Sequence, residues 1–137
     1  FSLGVKPKNN MAKTIAKGIT GKSGELSTTE KSAAAVGSGL LKVYSTPSMI
    51  ALMEKAASAT LQPYLDEGEG SVGAEIHVHH IKATPLGMLV SCDCEIVDVV
   101  GRKITFNVRA HDEVGEIGYG THVRYIIDVE RFMNKLA

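Results

Sequence analysis

Thr46-Pro47-Ser48-Met49-Ile50-Ala51-Leu52-Met53-Glu54-Lys55-Ala56-Ala57-Ser58-Ala59-Thr60-Leu61-Gln62-Pro63 reads as one buried helix. Threonine is a good N-cap, and proline at the first helical position gives up no hydrogen bond, so Thr46 is the expected cap. Behind it, Met49, Leu52, Met53, Ala56, Thr60 and Leu61 recur at helical spacing. Proline disfavours helix in the residue before it, which ends the segment near Gln62. The helix is apolar over much of its circumference, as expected of a helix inside a domain.

Beyond the helix the chain reads as strands. Asp66–Gly70 forms a turn, and four alternating runs come after it. In the first, Val72, Ala74, Ile76, Val78 and His80 share one face, read as inward, and Glu75, His77 and His79 the other. Val90, Cys92, Cys94 and Ile96 alternate with Ser91, Asp93 and Glu95. A turn at Val100-Gly101-Arg102 leads into Ile104, Phe106, Val108 and Ala110. The last run splits into Ile117, Tyr119, Thr121, Val123, Tyr125 and Ile127 against Gly118, Gly120, His122, Arg124 and Ile126. Asp128–Leu136 closes as a short helix. Upstream, the pattern gives a short strand at Glu25–Thr29 and a loop over Ala33–Leu41. One long buried helix and an antiparallel meander with one apolar face define an α+β layer architecture.

Composition narrows the function. A chain of 137 residues suits one domain, taken as 21–137 behind a lead over 1–20. Fifteen basic and fifteen acidic residues leave no net charge, which argues against a nucleic-acid partner. No apolar run approaches a membrane span, and residues 1–20 lack the apolar stretch of a secretory signal. Cys92 and Cys94, neighbours on one face of one strand, are poorly placed to bridge each other, so a reducing, cytoplasmic setting is expected.

Two polar residues break the apolar pattern. Glu54 shares a helical stripe with Ile50, Ala57 and Leu61, and no cation stands three or four residues away. A solvated helical glutamate normally has one, and an unpaired buried carboxylate is costly. A half-exposed rim position beside Lys55 is the plainer alternative. His80 lies on the inward face of its strand, where a hydrogen-bonded core histidine is the commoner explanation. One such residue on the helix and one on the next strand favour a shared site. Glu75, His77 and His79 have the i, i+2 spacing of metal ligands, but no further Cys/His pair completes a zinc pattern. A solvated histidine face and no metal are expected. Gly73, at a strand start, admits either a kink or a ligand close to the backbone. Arg124 has no obvious local acid; a cross-strand pair with Asp93 or Glu95 would account for it.

The stretch Val43–Leu136 resembles the fluoroacetyl-CoA thioesterase branch of the hotdog thioesterases. The likeness is carried by Thr46-Pro47 through Leu52-Met53-Glu54, Pro63 through Gly73, His80 through Ala83-Thr84-Pro85, Ala110-His111-Asp112, and Glu116-Ile117-Gly118 through Arg124. It implies a hotdog fold, with the long helix wrapped by an antiparallel sheet, paired into a homodimer or higher oligomer with sites near the subunit interface. It implies catalytic Thr46, Glu54 and His80, with Gly73 and Arg124 near the substrate. The implied activity is hydrolysis of a short or small acyl-CoA, coenzyme A entering only as part of the substrate. The fluoroacetyl-selective enzyme carries a phenylalanine lid where this chain aligns Leu40, so selectivity for the fluorinated substrate is not expected. A hydratase of the same superfamily would need Asp and His near the helix, and this helix has Glu54 and no histidine. A non-catalytic acyl-CoA binding protein is the alternative, favoured if Glu54 and His80 stand too far apart to share a substrate.

Overall fold

A computed structural model of the chain describes residues 14–137. The lead expected over 1–20 therefore lies largely outside the described residues, although Ile15 and Ile19 pack against the core. Strand β1 spans Thr20–Leu26, and the one-turn helix α1 spans Ala33–Val36. Helix α2 covers Thr46–Leu61; β2 (Glu69–His80), β3 (Leu89–Val100), β4 (Lys103–His111), β5 (Glu116–Asp128) and α3 (Val129–Asn134) come after it. The five strands form one antiparallel sheet in the order β1-β3-β4-β5-β2.

Helix α2 lies on one face of this sheet. Met49, Leu52, Met53, Ala56, Ala57 and Leu61 bury there against Val90, Cys92, Cys94 and Ile96 of β3 and Ile104, Phe106, Val108 and Ala110 of β4. The alternation in β3 and β4 is thus the one read from the sequence. The β3–β4 hairpin turns at Gly101, whose φ of +61° suits a two-residue turn and strains any other residue. Asp112 ties the β4–β5 turn to the segment after β2: it accepts from Val114 N, Gly115 N and Thr84 Oγ1 and lies 3.6 Å from Lys82 Nζ.

Four readings need correction. The first strand starts at Thr20, not Glu25, because it pairs with β3 along Thr20–Leu26 rather than by local pattern. The expected loop at 33–41 opens with the turn of helix α1, capped by Ser32 Oγ on Ala35 N. The N-cap of α2 is Ser45, whose Oγ accepts from Ser48 N; Thr46 is already helical. The cap falls one residue earlier than expected, because the Ser45 hydroxyl rather than that of Thr46 reaches a free N–H of the first turn.

The fourth correction concerns β2. A bulge between Gly73 and Glu75 leaves Ala74 without a cross-strand partner. Residues opposite one another share a face. Gly73 sits opposite Arg124, and Ile76, Val78 and His80 sit opposite His122, Gly120 and Gly118. The helix-facing set is therefore Ser71, Gly73, Ile76, Val78 and His80; Val72, opposite Tyr125, belongs to the outer face.

Gly120 is required by close packing of β5 on β2. A Cβ there would collide with the His77 carbonyl oxygen and stand 2.6 Å from Val78 Cα. Both atoms are backbone and cannot rotate away. Gly120→Ala is expected to cost about 2–3 kcal/mol, the upper range for overpacking. Urea unfolding should show the midpoint falling with the m-value unchanged.

Candidate active site

The expected site residues fall into two groups along α2. At its N-terminus, Thr46 Oγ1 lies 2.7 Å from His80 Nδ1. The shift of the cap to Ser45 makes this possible, since the Thr46 hydroxyl is released from capping the helix. The other ring nitrogen of His80, Nε2, is buried and has no hydrogen-bond partner. A buried, unpaired ring nitrogen costs free energy unless something arrives to use it. Burial holds the His80 pKa below the ordinary 6.5, opposed by the Lys82 backbone. A cleft of about 350 Å³ opens here, with Ser38, Val43, Thr46, His80 and Lys82 on its walls.

Two turns further along α2 stands the second group. Glu54 is half-buried. Its Oε2 would lie 2.9 Å from a Cβ on Gly73, and that Cβ would also meet His122 Cε1 at 3.2 Å and Arg124 Nη1 at 3.4 Å. Glycine thus keeps open the space where these three side chains converge. Arg124 is buried, donating from Nε to Ser71 Oγ at 2.9 Å and from Nη2 to the Ser71 carbonyl at 3.1 Å. It makes no pair with Asp93 or Glu95, which lie across the sheet on β3. Burial lowers the Arg124 pKa, and the Glu54 carboxylate opposes that.

Among the described residues no hydrogen bond or ion pair joins the two groups. Thr46 and Glu54 are eight residues apart on the helix, roughly 12 Å of rise. The cleft at His80 does not include Glu54 among its walls. Leu40 is 93% exposed and stands off the walls of the His80 cleft.

A concavity of about 690 Å³ is elsewhere. It lies on the outer face of the sheet, lined by His77, His79, Asp93, Glu95, Arg109 and Tyr119, and contains none of the expected catalytic residues. His77 and His79 meet edge to face there, their centroids 5.6 Å apart. Among the described residues no group of three or more His, Cys, Asp or Glu is arranged to hold a metal ion. Cys92 and Cys94 are free and buried; burial pushes the Cys92 thiol up to about 12 and raises Cys94 too, so neither supplies a thiolate.

His122 and Ser71 belong to the second group and were not singled out from sequence. A signal for His122 existed: it alternates with Arg124 and two glycines on one side of β5. Burial, and after it Arg124, hold the His122 pKa below 6.5, against the Glu75 carbonyl and Glu54. His80 and His122 thus both bind protons less readily folded than unfolded. Their stabilising effect is present above about pH 6.5 and is lost as pH falls through that value towards their folded pKa. Tm is expected to be level from about pH 7 to 8 and to decline below 6.5, as calorimetry over that range would show.

A long helix laid on a five-stranded antiparallel sheet is the arrangement of hotdog thioesterases. The sequence profile described as fluoroacetyl-CoA-specific thioesterase matches residues 28–130. A fluoroacetyl-CoA thioesterase from Streptantibioticus cattleyicolor is 45% identical over 95 residues, 69% of this chain and 68% of that protein. A solved structure of the fluoroacetyl-CoA thioesterase superposes with a TM-score of 0.85 at 35% identity, over 90% of this chain and 96% of that one. A thioesterase superfamily member from Thermus thermophilus superposes at 0.82 with 26% identity, over 90% and 93% of the two chains. The chain belongs to the fluoroacetyl-CoA-specific thioesterase family.

Proposed function

We propose that this protein hydrolyses a small acyl-CoA to the free acid and CoA, using Glu54, His80 and Thr46. The observation that carries the reading is Glu54: a half-buried carboxylate without hydrogen bond or ion pair to any described residue, facing a glycine. Such a group is available to react. As nucleophile, a Glu54 oxygen bonds to the thioester carbonyl carbon, the C–S bond breaks and CoA leaves as thiolate; water then cleaves the anhydride and returns the carboxylate. As general base, Glu54 takes a proton from the water that attacks. His80, with one nitrogen on Thr46 and the other unengaged, moves the proton in the hydrolytic step. Gly73 lets the carbonyl approach the backbone, where an N–H stabilises developing oxyanion charge. Arg124 supplies positive charge beside Glu54.

The crowding of Glu54, His122 and Arg124 at Gly73 supports a small acyl group. The exposed Leu40, where the resemblance places a phenylalanine lid, supports weak preference for the fluorinated substrate. Thiol release over a panel of acyl-CoAs tests both: turnover should be highest on short chains, with acetyl- and fluoroacetyl-CoA within about tenfold of each other. A preference of several orders of magnitude for fluoroacetyl-CoA would overturn the Leu40 reading, and silence across the panel the function itself.

The assembly is read as a homodimer formed along β2. This 12-residue strand is at the sheet edge, hydrogen-bonded among the described strands only to β5, and contains no proline. A long unprotected edge is a template for another strand. Both groups border β2, Gly73 in its first half and His80 at its last residue, so antiparallel pairing of two copies can set Gly73 of one beside His80 of the other. On this reading Thr46 and His80 of one copy complete the site of Glu54 and Gly73 in the other. The free, buried cysteines support a cytoplasmic setting. No helix among the described residues is long and apolar enough to cross a membrane.

A further inference from the structure

We propose that His122 is a positioning residue: locked as one tautomer by the Glu75 carbonyl, it fixes the Arg124 guanidinium beside Glu54. His122 is 0% exposed, so its ring must satisfy both nitrogens within the protein. Nδ1 lies 2.8 Å from the Glu75 carbonyl oxygen, which can only accept, so Nδ1 carries the hydrogen. Nε2 lies 3.2 Å from Arg124 Nη1, which can only donate, so Nε2 is the acceptor. A neutral imidazole offers one donor and one acceptor, and this is the single tautomer that meets both partners. A second proton would set an N–H against the guanidinium.

The surroundings hold that state. The ring stacks on Phe106 of β4, centroids 6.2 Å apart and planes at 29°. The charged groups facing it are Arg124 from its own strand and Glu54 from α2. From β2 it meets the Glu75 carbonyl and has Ile76 opposite. With His122, the Arg124 guanidinium is tethered at Nε, Nη1 and Nη2. Of its five N–H groups three are then engaged; of the two that remain, one is on Nη1, the nitrogen that borders the space over Gly73 with Glu54. Losing the His122 tether would free that end of the guanidinium to swing out of line.

The kinetic part rests on the thioesterase reading above; the tautomer does not, and two measurements keep them apart. In long-range ¹⁵N–¹H spectra of the wild-type protein, the His122 ring should show a protonated Nδ1 and a bare Nε2, unchanged from about pH 8 down to 6. The opposite tautomer, or a second proton taken up over that range, overturns the proposal whatever the enzyme's activity. His122→Phe keeps the ring stacked but removes both bonds. It should lower kcat by about ten- to a hundredfold, the range for a hydrogen bond to a charged group, with a smaller change in KM. In an Arg124→Ala background the same substitution should have almost no further effect, because nothing is left to position. Equal losses in both backgrounds would reduce His122 to a packing residue. His122→Gln, which returns an acceptor near the Nε2 position, should recover part of the loss; no recovery in a folded Gln variant counts against the proposal.

Discussion

Glu54→Gln is expected to lower thioester turnover by at least about a hundredfold, the low end for loss of a general base, with the fold intact. Glutamine keeps the volume and the hydrogen-bonding capacity at the Gly73 contact, where Oε2 sits 2.9 Å from the position of a Cβ. What it loses is the charge, and with it both the nucleophile and the base. Glu54 makes no hydrogen bond or ion pair to a described residue, so the substitution breaks no network on which the helix depends. The core contacts of α2 are made by Met49, Leu52, Met53 and Ala56, which are untouched. Thiol release with the variant, beside a thermal melt, gives the answer. A folded variant with near wild-type rates would show that another group does the chemistry.

Mixing two inactive variants should restore activity. His80→Ala alone removes the ring that engages Thr46 and should slow hydrolysis by about a hundredfold. If each site draws Glu54 from one chain and His80 from the other, a mixed dimer of Glu54→Gln and His80→Ala chains holds one doubly altered site and one intact site. Random exchange gives half mixed dimers, hence about a quarter of wild-type activity in a twofold-symmetric pair. The two groups stand roughly 12 Å apart along α2 and share no hydrogen bond or ion pair among the described residues, which is the motive for the experiment. Activity no higher than either parent, after subunit exchange has been verified, would place the whole site in one chain.

The helix and the paired interior strands were legible in the sequence because their burial follows simple periods. Met49, Leu52, Met53 and Ala56 repeat at the helical spacing, and Cys92 through Ile96 and Ile104 through Ala110 at the strand spacing. Glu54 and His80 stood out for the same reason, as polar residues in apolar rows. Other features depend on events no period records. Whether Ser45 or Thr46 caps α2 is a choice between two adjacent hydroxyls, settled where Ser45 Oγ meets Ser48 N. Strand β1 is Gly-, Ser- and Lys-rich, and its bounds at Thr20–Leu26 follow from pairing with β3 rather than from a local pattern. The sequence places His122 on the Arg124 side of β5, but its partners Glu75, Arg124 and Phe106 come together only in the fold.

The unpaired Ala74 has a consequence in arithmetic. Gly73 and His80 are seven positions apart, an odd number, and in an unbroken ladder residues an odd number apart point to opposite sides. Both nevertheless face the helix, because the extra residue changes the parity of everything beyond it. Length, rather than side chain, is therefore the sensitive property of this stretch. Exchanging Ala74 for another small residue leaves the count alone. Removing it would turn either the open floor beneath Glu54 or the ring beside Thr46 out to the far side, dismantling one half of the site without touching any residue in it.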